Sequence, residues 1–325
     1  MMTIKQAIIT GFMGRLRDRF AEYHAPKTVE EKLEMVSRVK GADGVELIYP
    51  YDCEDVSNLK KYLSQYQLGV AAVNVNIKAE PEFVNGAVSS YSKKTREKAI
   101  DFIKRGMEVA SELKADRITC APLNDGYDYL FQVDYRRVWD FTVSSFKTAA
   151  QHNRNVTLSI EYKPSEPRVQ CLVDSASKTL CLCQAIGEPN VGITIDVGHA
   201  LVVGETPAEA LCLVASSPWS YYIHINDNNR KWDWDLIPGT RNFWDYLEFI
   251  FYLKELNYQG WVTSDMAPMR LDAIEAFSRT IETTERIIQL TNRLDPRRLF
   301  GLMEQERMIE ALEYLEEEVW RKGRQ

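Results

Sequence analysis

Eight short β-rich runs, each followed by a helix-patterned segment, with no linker or low-complexity break between them, predict an α/β chain. The architecture expected is a closed parallel (β/α)8 TIM barrel with a C-terminal helical extension. The first run is IKQAIIT at residue 4, followed by a helix over 28–40 (TVEEKLEMVSRVK) in which Thr28 and Glu31 have the spacing of a capping box. GVELIYP at 44 precedes a helix at 54–66, LGVAAVNVNI at 68 one at 92–114, and DRITCAP at 116 one at 134–152. NVTLSIEYK at 155 leads to a helix at 174–187, and VGITIDVG at 191 to one at 206–216. SYYIHIND at 220 and GWVTSDM at 260 complete the series, with helices at 242–256 and 270–292. A doubly wound sheet is the competing fold, but neither a G-x-G-x-x-G after the first strand nor a G-x-x-x-x-G-K-[ST] is present. The barrel is therefore assigned residues 1–293, and 294–325 a helical tail expected to pack on the barrel or on a neighbouring subunit.

Composition narrows the function classes. The chain of 325 residues is 45% hydrophobic and 27% charged, enough for a large core. Forty Lys and Arg against 47 Asp and Glu give a net charge of -7, and no basic run tracks a phosphate backbone, so nucleic acid is not an expected partner. The start MMTIKQAIITGF lacks the pattern of a signal peptide and no run of about 18 apolar residues occurs, which excludes a membrane partner and predicts a cytoplasmic location. The six cysteines, at 53, 120, 171, 181, 183 and 212, form no C-x-x-C and are expected to be core thiols.

Alternation along each strand assigns the polar residues to faces. In the fifth strand Thr157, Ser159, Glu161 and Lys163 share one side, and Leu158, Ile160 and Tyr162 the side expected to face the helices. The same parity groups Thr194 with Asp196, Tyr222 with His224 and Asn226, and Trp261 with Thr263 and Asp265. Glu161, Asp196, His224 and Asp265 thus come from consecutive strands, near the C-terminal rim where barrel enzymes keep their active sites. Three carboxylates in one mouth would repel one another unless a cation sat among them. Oxygen-rich ligation with one nitrogen and no thiolate suits Mn²⁺, Mg²⁺ or Co²⁺. Alone, each of these residues reads equally well as a salt-bridged core group.

His199, three residues after Asp196 in DVGHA, and Asp233 and Asp235 in KWDWDL form a second set. With a bridging Asp196 they are candidates for a second ion close to substrate, and a solvated loop is the alternative for the D-W-D. Tyr127, Tyr129, Phe131, Trp232 and Trp234 are candidates for an apolar wall around the reacting carbons, or equally for plain core.

These motifs resemble those of the xylose isomerases. EYKPSEPR (161–168) resembles the family's E-P-K-P-N-E-P-R, with Tyr162 and Ser165 as departures, and DVGHA resembles E-V-G-H-E, with Asp196 in place of Glu. HINDNNRKWDWDL is similar to H-I-D-L-N…Y-D-Q-D-L, with Asn226 where the family has an Asp, and SDMAPMR resembles F-D-F-K-P-P-R. The set Glu, Asp, His, Asp is closer to the L-rhamnose isomerase branch, and NDGYDYLFQVDY (124–135) resembles the D-G-x-x-x-x-x-Q loop of bacterial sugar isomerases. The likeness spans most of residues 44–270.

The resemblance implies an intramolecular oxidoreductase: a divalent-metal-dependent aldose–ketose isomerase of a free, non-phosphorylated sugar, working by hydride shift between C1 and C2 with one or two ions per subunit. It implies Glu161, Asp196, His224 and Asp265 as ligands, and His199, Asp233 and Asp235 as ligands of the second ion. Lys163 would hydrogen-bond the carbonyl oxygen, and the second ion would lower the pKa of a water that takes the hydroxyl proton with the help of an aspartate, making Lys163, Asp233 and His199 the catalytic group. Pro164 and Pro167 fix the exit of the strand, and Glu166 and Arg168 brace the loop or a subunit contact. The family's ring-opening His has no counterpart in ELIYPYDCED, which leaves Glu46, Asp52 or a bound water for that role, while His24 and His152 are expected on helix surfaces. A less common free sugar, L-rhamnose-like, apiose-like or lyxose-like, and a homodimer or homotetramer follow. The alternatives are a ketose 3-epimerase, a carbon-glycoside-cleaving subunit, the superfamily's endonuclease branch and a non-catalytic sugar-binding protein.

Overall fold

The structure is a computed structural model and describes residues 4–320. The barrel strands are β1 (Lys5–Ile9), β2 (Gly44–Tyr49), β3 (Gly69–Val75), β4 (Arg117–Cys120), β5 (Thr157–Glu161), β6 (Val191–Asp196), β7 (Ser220–Ile225) and β8 (Trp261–Ser264). They pair in parallel in the closed order β1-β8-β7-β6-β5-β4-β3-β2. Around them run α1 (Val29–Ser37), α2 (Val56–Gln65), α3 (Lys93–Glu112), α4 (Tyr135–Ala150) and α5 (Ala176–Ile186). Then follow α6 (Val197–Val203), α7 (Pro207–Ala215), α8 (Phe243–Glu255), α9 (Ala273–Thr291), α10 (Pro296–Glu304) and α11 (Met308–Trp320). The eight predicted units are all present, and α6 is an additional short helix directly after β6.

Local chemistry explains the element starts. The Thr28 hydroxyl accepts from the Glu31 amide and the Glu31 carboxylate accepts from the Thr28 amide, so the capping box of α1 forms as the spacing predicts. The side chains of Asp55, Ser92, Ser175 and Asp272 each cap a helix by accepting from the amide three residues on. Outward strand residues such as Ile8, Leu47, Ile160 and Ile223 pack against helix residues such as Leu33, Ile103, Phe146, Phe249 and Phe277 in one buried cluster. Inside the barrel, Ala7, Ala71, Ala72 and Tyr222 gather around Trp261. Gly44 is required there: a Cβ would lie 2.4 Å from the Gly69 carbonyl oxygen and 2.8 Å from the Trp261 ring.

Three details differ from expectation. His24 lies in a short hairpin (Leu16–Arg17 with Glu22–His24) that precedes α1, and its Nε2 is 2.8 Å from the Pro268 carbonyl. His152 sits just past α4 and meets Glu108 at 2.9 Å. Of the six cysteines, 53, 120, 171 and 183 are buried, whereas Cys181 is exposed and Cys212 half-buried. Among the described residues no single helix is long and apolar enough to cross a membrane.

The tail packs on the barrel. Leu294, Leu299, Leu302, Ala311 and Tyr314 bury themselves against Phe251 of α8, and the Tyr314 hydroxyl accepts from the Asp295 amide at 2.7 Å. Residues 321–325 of the tail lie outside the described residues. Tyr314→Ala is expected to destabilise the protein by about 3 kcal/mol, read as a fall in Tm; an unchanged Tm would show that the tail does not support the barrel.

Candidate metal centre and active-site cavity

The strand register delivers the predicted group. Glu161 ends β5 and lies level with Thr194 of β6, while Asp196 ends β6 level with His224 of β7. Asp265 follows β8, its amide donating to the Ile225 carbonyl at 3.1 Å. One ligand atom from each of Glu161, Asp196, His224 and Asp265 lies within 4.8 Å of all the others. The His224 Nδ1 is 3.3 Å from Glu161, 3.1 Å from Asp265 and 4.0 Å from Asp196. Asp196 also caps α6 by accepting from the His199 amide at 2.8 Å, and Asn226 donates to both its oxygens. Gly198 makes room for that amide, since a Cβ would fall 1.8 Å from the Asn226 Oδ1.

The electrostatics mark the group as crowded. Burial and the neighbouring Asp265, Asp233 and Glu161 push the Asp196 carboxyl up to about 7, with His199 opposing. Burial also works to raise Glu161, but His224 and His199 outweigh it and hold that carboxyl at about 2. His224 is raised well above its ordinary range: burial opposes its charge, and Glu46, Glu161 and Asp265 overcome this. The donor set fits a divalent ion, with three carboxylates, one imidazole and no thiolate. Buried atoms without a hydrogen-bond partner around it, His199 Nδ1, Asn226 Oδ1 and Asp233 Oδ1, fit a centre that awaits a further group.

Glu46, a sequence candidate for ring opening, sits beneath the metal group against His224. It is fully buried, and its carboxylate lies 3.0 Å from His224 Nε2 while accepting from Thr119 at 2.6 Å and Asn74 at 3.0 Å. This carboxylate fixes the proton on Nε2 and leaves Nδ1 to face the ligand group, as in carboxylate–histidine–metal arrangements. The signal in the sequence was a lone acid inside the apolar run GVELIYP, on the inward parity of β2. Asp52 is likewise structural, accepting from Lys32 at 2.7 Å and from the Ile48 amide at 2.9 Å.

His199, Asp233 and Asp235 of the second predicted set line the same cavity as Glu161. The Asp233 carboxylate bridges His199 Nε2 at 3.1 Å and Lys163 Nζ at 3.0 Å, and Lys163 also meets Glu166 at 2.6 Å. Burial works to raise the Asp233 carboxyl, but His199 and Lys163 hold it far below the usual range. Burial works to lower His199, and Asp196 and Asp233 instead lift it to about 9. Asp235 has φ +48°, a left-handed conformation rare outside glycine, and burial with Asp233 and Asp265 raises its carboxyl well above the ordinary range. Among the described residues only the Glu161 group draws three or more ligand atoms to within 4.8 Å of one another.

A cavity of about 460 Å³ opens onto Glu161, Lys163, His199, Asp233, Asp235 and Asp265. Its apolar lining comes from Ile9, Phe12, Leu16, Ile48 and Leu123 rather than from the aromatics expected there. Tyr129 and Phe131 project into solvent at 68% and 100% exposure, Trp232 and Trp234 are also exposed, and Tyr127 stacks edge-on against Tyr135 in a separate surface depression. Arg168 is exposed, 3.9 Å from Asp128.

Glu46→Gln should lower Mn²⁺ affinity about 10- to 100-fold, because an amide cannot accept from His224, Thr119 and Asn74 together. Calorimetric titration checks this, and unchanged affinity would remove Glu46 from the centre. Since an ion must displace the protons that Asp196 and His224 hold, Mn²⁺ affinity should also fall on acidification below pH 7, by about tenfold per pH unit for each proton displaced.

Comparison with known proteins agrees with this architecture. The family model described as Xylose isomerase-like TIM barrel matches residues 34–295. The xylose isomerase of Thermus thermophilus is 24% identical over 243 residues, 72% of this chain and 63% of that protein. That of Bacillus pumilus is 25% identical over 185 residues, 55% of this chain and 42% of that protein. The chain thus spans less than two thirds of either relative's length. The crystal structure of a D-tagatose 3-epimerase-like protein superposes with a TM-score of 0.71 at 18% identity, covering 89% of this chain and 99% of that one, a likeness of fold. With the matched family model extending over most of the barrel, the chain belongs to the xylose isomerase-like TIM-barrel family.

Proposed function

We propose that the protein is a divalent-metal-dependent isomerase that interconverts an aldose and a ketose of a free sugar. The observation that carries this reading is the Lys163 ammonium, two residues beyond the end of β5 and lining the same cavity as Glu161 and Asp265. A divalent ion held by Glu161, Asp196, His224 and Asp265 would supply Lewis-acid polarisation of two adjacent substrate oxygens. Lys163 has three donors, of which Glu166 and Asp233 engage two, and the third is directed to the carbonyl oxygen that gains negative charge. Asp233, held anionic between His199 and Lys163, accepts the proton of the neighbouring hydroxyl and returns it to the new alkoxide. The C2–H bond breaks with its electron pair, a C1–H bond forms, and the proton passes from O2 to O1. The apolar lining of Ile9, Phe12, Leu16, Ile48 and Leu123 limits water at the reacting carbons.

A ketose 3-epimerase is the second reading, favoured by the compactness of the single four-ligand group. The two differ in where hydrogen goes: a hydride shift retains substrate hydrogen, whereas deprotonation at carbon exchanges it with solvent. The reading extends to a homo-oligomer, supported by exposed Met303, Met308, Ile309 and Leu312 on α10 and α11.

The test is Mn²⁺-activated turnover of free pentoses and hexoses in D₂O. A new ketose without carbon-bound deuterium, and a loss of kcat of about 100-fold or more in Lys163→Met, are expected. Deuterium at C3 of an epimerised ketose would establish the epimerase instead.

A further inference from the structure

Four lysine and arginine side chains line the cavity, and three of them are engaged in ion pairs. Arg15 pairs with Glu22 at 2.8 Å, Lys32 with Asp52 at 2.7 Å, and Lys163 with Asp233 and Glu166. Lys78 is half-buried and its Nζ has no hydrogen bond or ion pair among the described residues. Its backbone is nevertheless pinned. The Asn76 Oδ1 accepts from the amides of Lys78 and Ala79, and the Asn124 side chain donates to the Lys78 carbonyl at 2.8 Å. With its oxygen used in that turn, Asn76 has its amide nitrogen to offer to the cavity it lines. The turn after β3 therefore presents donors to the cavity, while the carboxylates of the metal group come from β5 to β8, the nearest of them, Glu161, two strands round the barrel. The Lys78 ammonium makes no direct ion pair, its charge acting on Glu161 without contact, and a donor pair of this kind matches an anionic oxygen group on the ligand.

We infer that the site takes a sugar bearing a carboxylate at the end remote from the reacting carbons, with Lys78 as the residue that selects it and Asn76 as its second donor. This rests on the isomerase reading for the identity of the reacting end and deepens it by naming the substrate class. The substrate class is a uronic-acid-like sugar; a phosphate would present the same charge to Lys78 and is separated by experiment.

The test uses the 325-residue chain loaded with Mn²⁺, with D-glucuronate, D-glucose and D-glucose 6-phosphate as probes for both turnover and calorimetric binding. Mn²⁺ affinity of each variant is measured first, as the readout of folding. The expected result is a kcat/KM for D-glucuronate at least about tenfold above that for D-glucose, a preference that Lys78→Met reduces about 10- to 100-fold through KM and Lys78→Arg retains. D-glucuronate that binds in a Lys78-dependent way without isomerisation supports the substrate class and removes the isomerase reading. Neutral sugars isomerised without any preference for D-glucuronate keep the isomerase and overturn the substrate class. A preference for D-glucose 6-phosphate overturns the carboxylate, and a Lys78→Met that lowers kcat on acidic and neutral sugars alike overturns the selecting role.

Discussion

Three carboxylates and an imidazole share a few ångströms at the buried mouth of the barrel, and the surrounding structure is arranged around that concentration of charge. Like charges at such separations repel strongly where water is excluded, so each carboxylate needs a proton, a cation or a donor. The protein supplies part of the balance itself. His224 lies between Glu46 and the ligand group, Asn226 donates to both oxygens of Asp196, and Lys163 with His199 brackets Asp233. Asp196 and Asp235 still bear raised pKa values, burial being the first cause in each, and this unbalanced remainder is the physical reason for expecting a bound cation.

Parallel closure makes the arrangement precise enough to be useful. Because each inward residue meets a partner at a fixed level on the next strand, Asp196 and His224 stand side by side and Glu161 one layer below, without any loop having to find them. Elements beneath the rim then aim the ligands. Glu46 orients His224 from the barrel interior, and the first turn of α6 holds Asp196 by its capping bond. Gly198 belongs to the same device, since any side chain there would displace Asn226 from Asp196.

The cavity has two chemically different sides. Metal-ligand carboxylates and Lys163 occupy the β5 to β8 side, and amide and cationic groups the β1 to β3 side, so a bound polyol would have distinguishable ends.

Much of this was legible in the residues. Alternation within strands and 3.6-residue periodicity between them depend only on near neighbours, so the eight units, the capping box at Thr28 and the inward parity of Glu161, Asp196, His224 and Asp265 could be read directly. Tertiary structure decided what depends on distance across the barrel. Glu46 and His224 are 178 residues apart, and no local pattern reveals that one orients the other. The D-W-D loop illustrates the same limit: only the fold shows that Asp233 lies against His199 and Lys163, while the loop's tryptophans, like Phe131, turn to solvent instead of walling the cavity. Sequence by itself determined which side chains each strand sends inward, because the pleat imposes that choice locally. Only the closed barrel decided which of them meet, which remain unpaired as Lys78 does, and where the cavity takes its walls, because those outcomes are set by contacts between segments far apart in the chain.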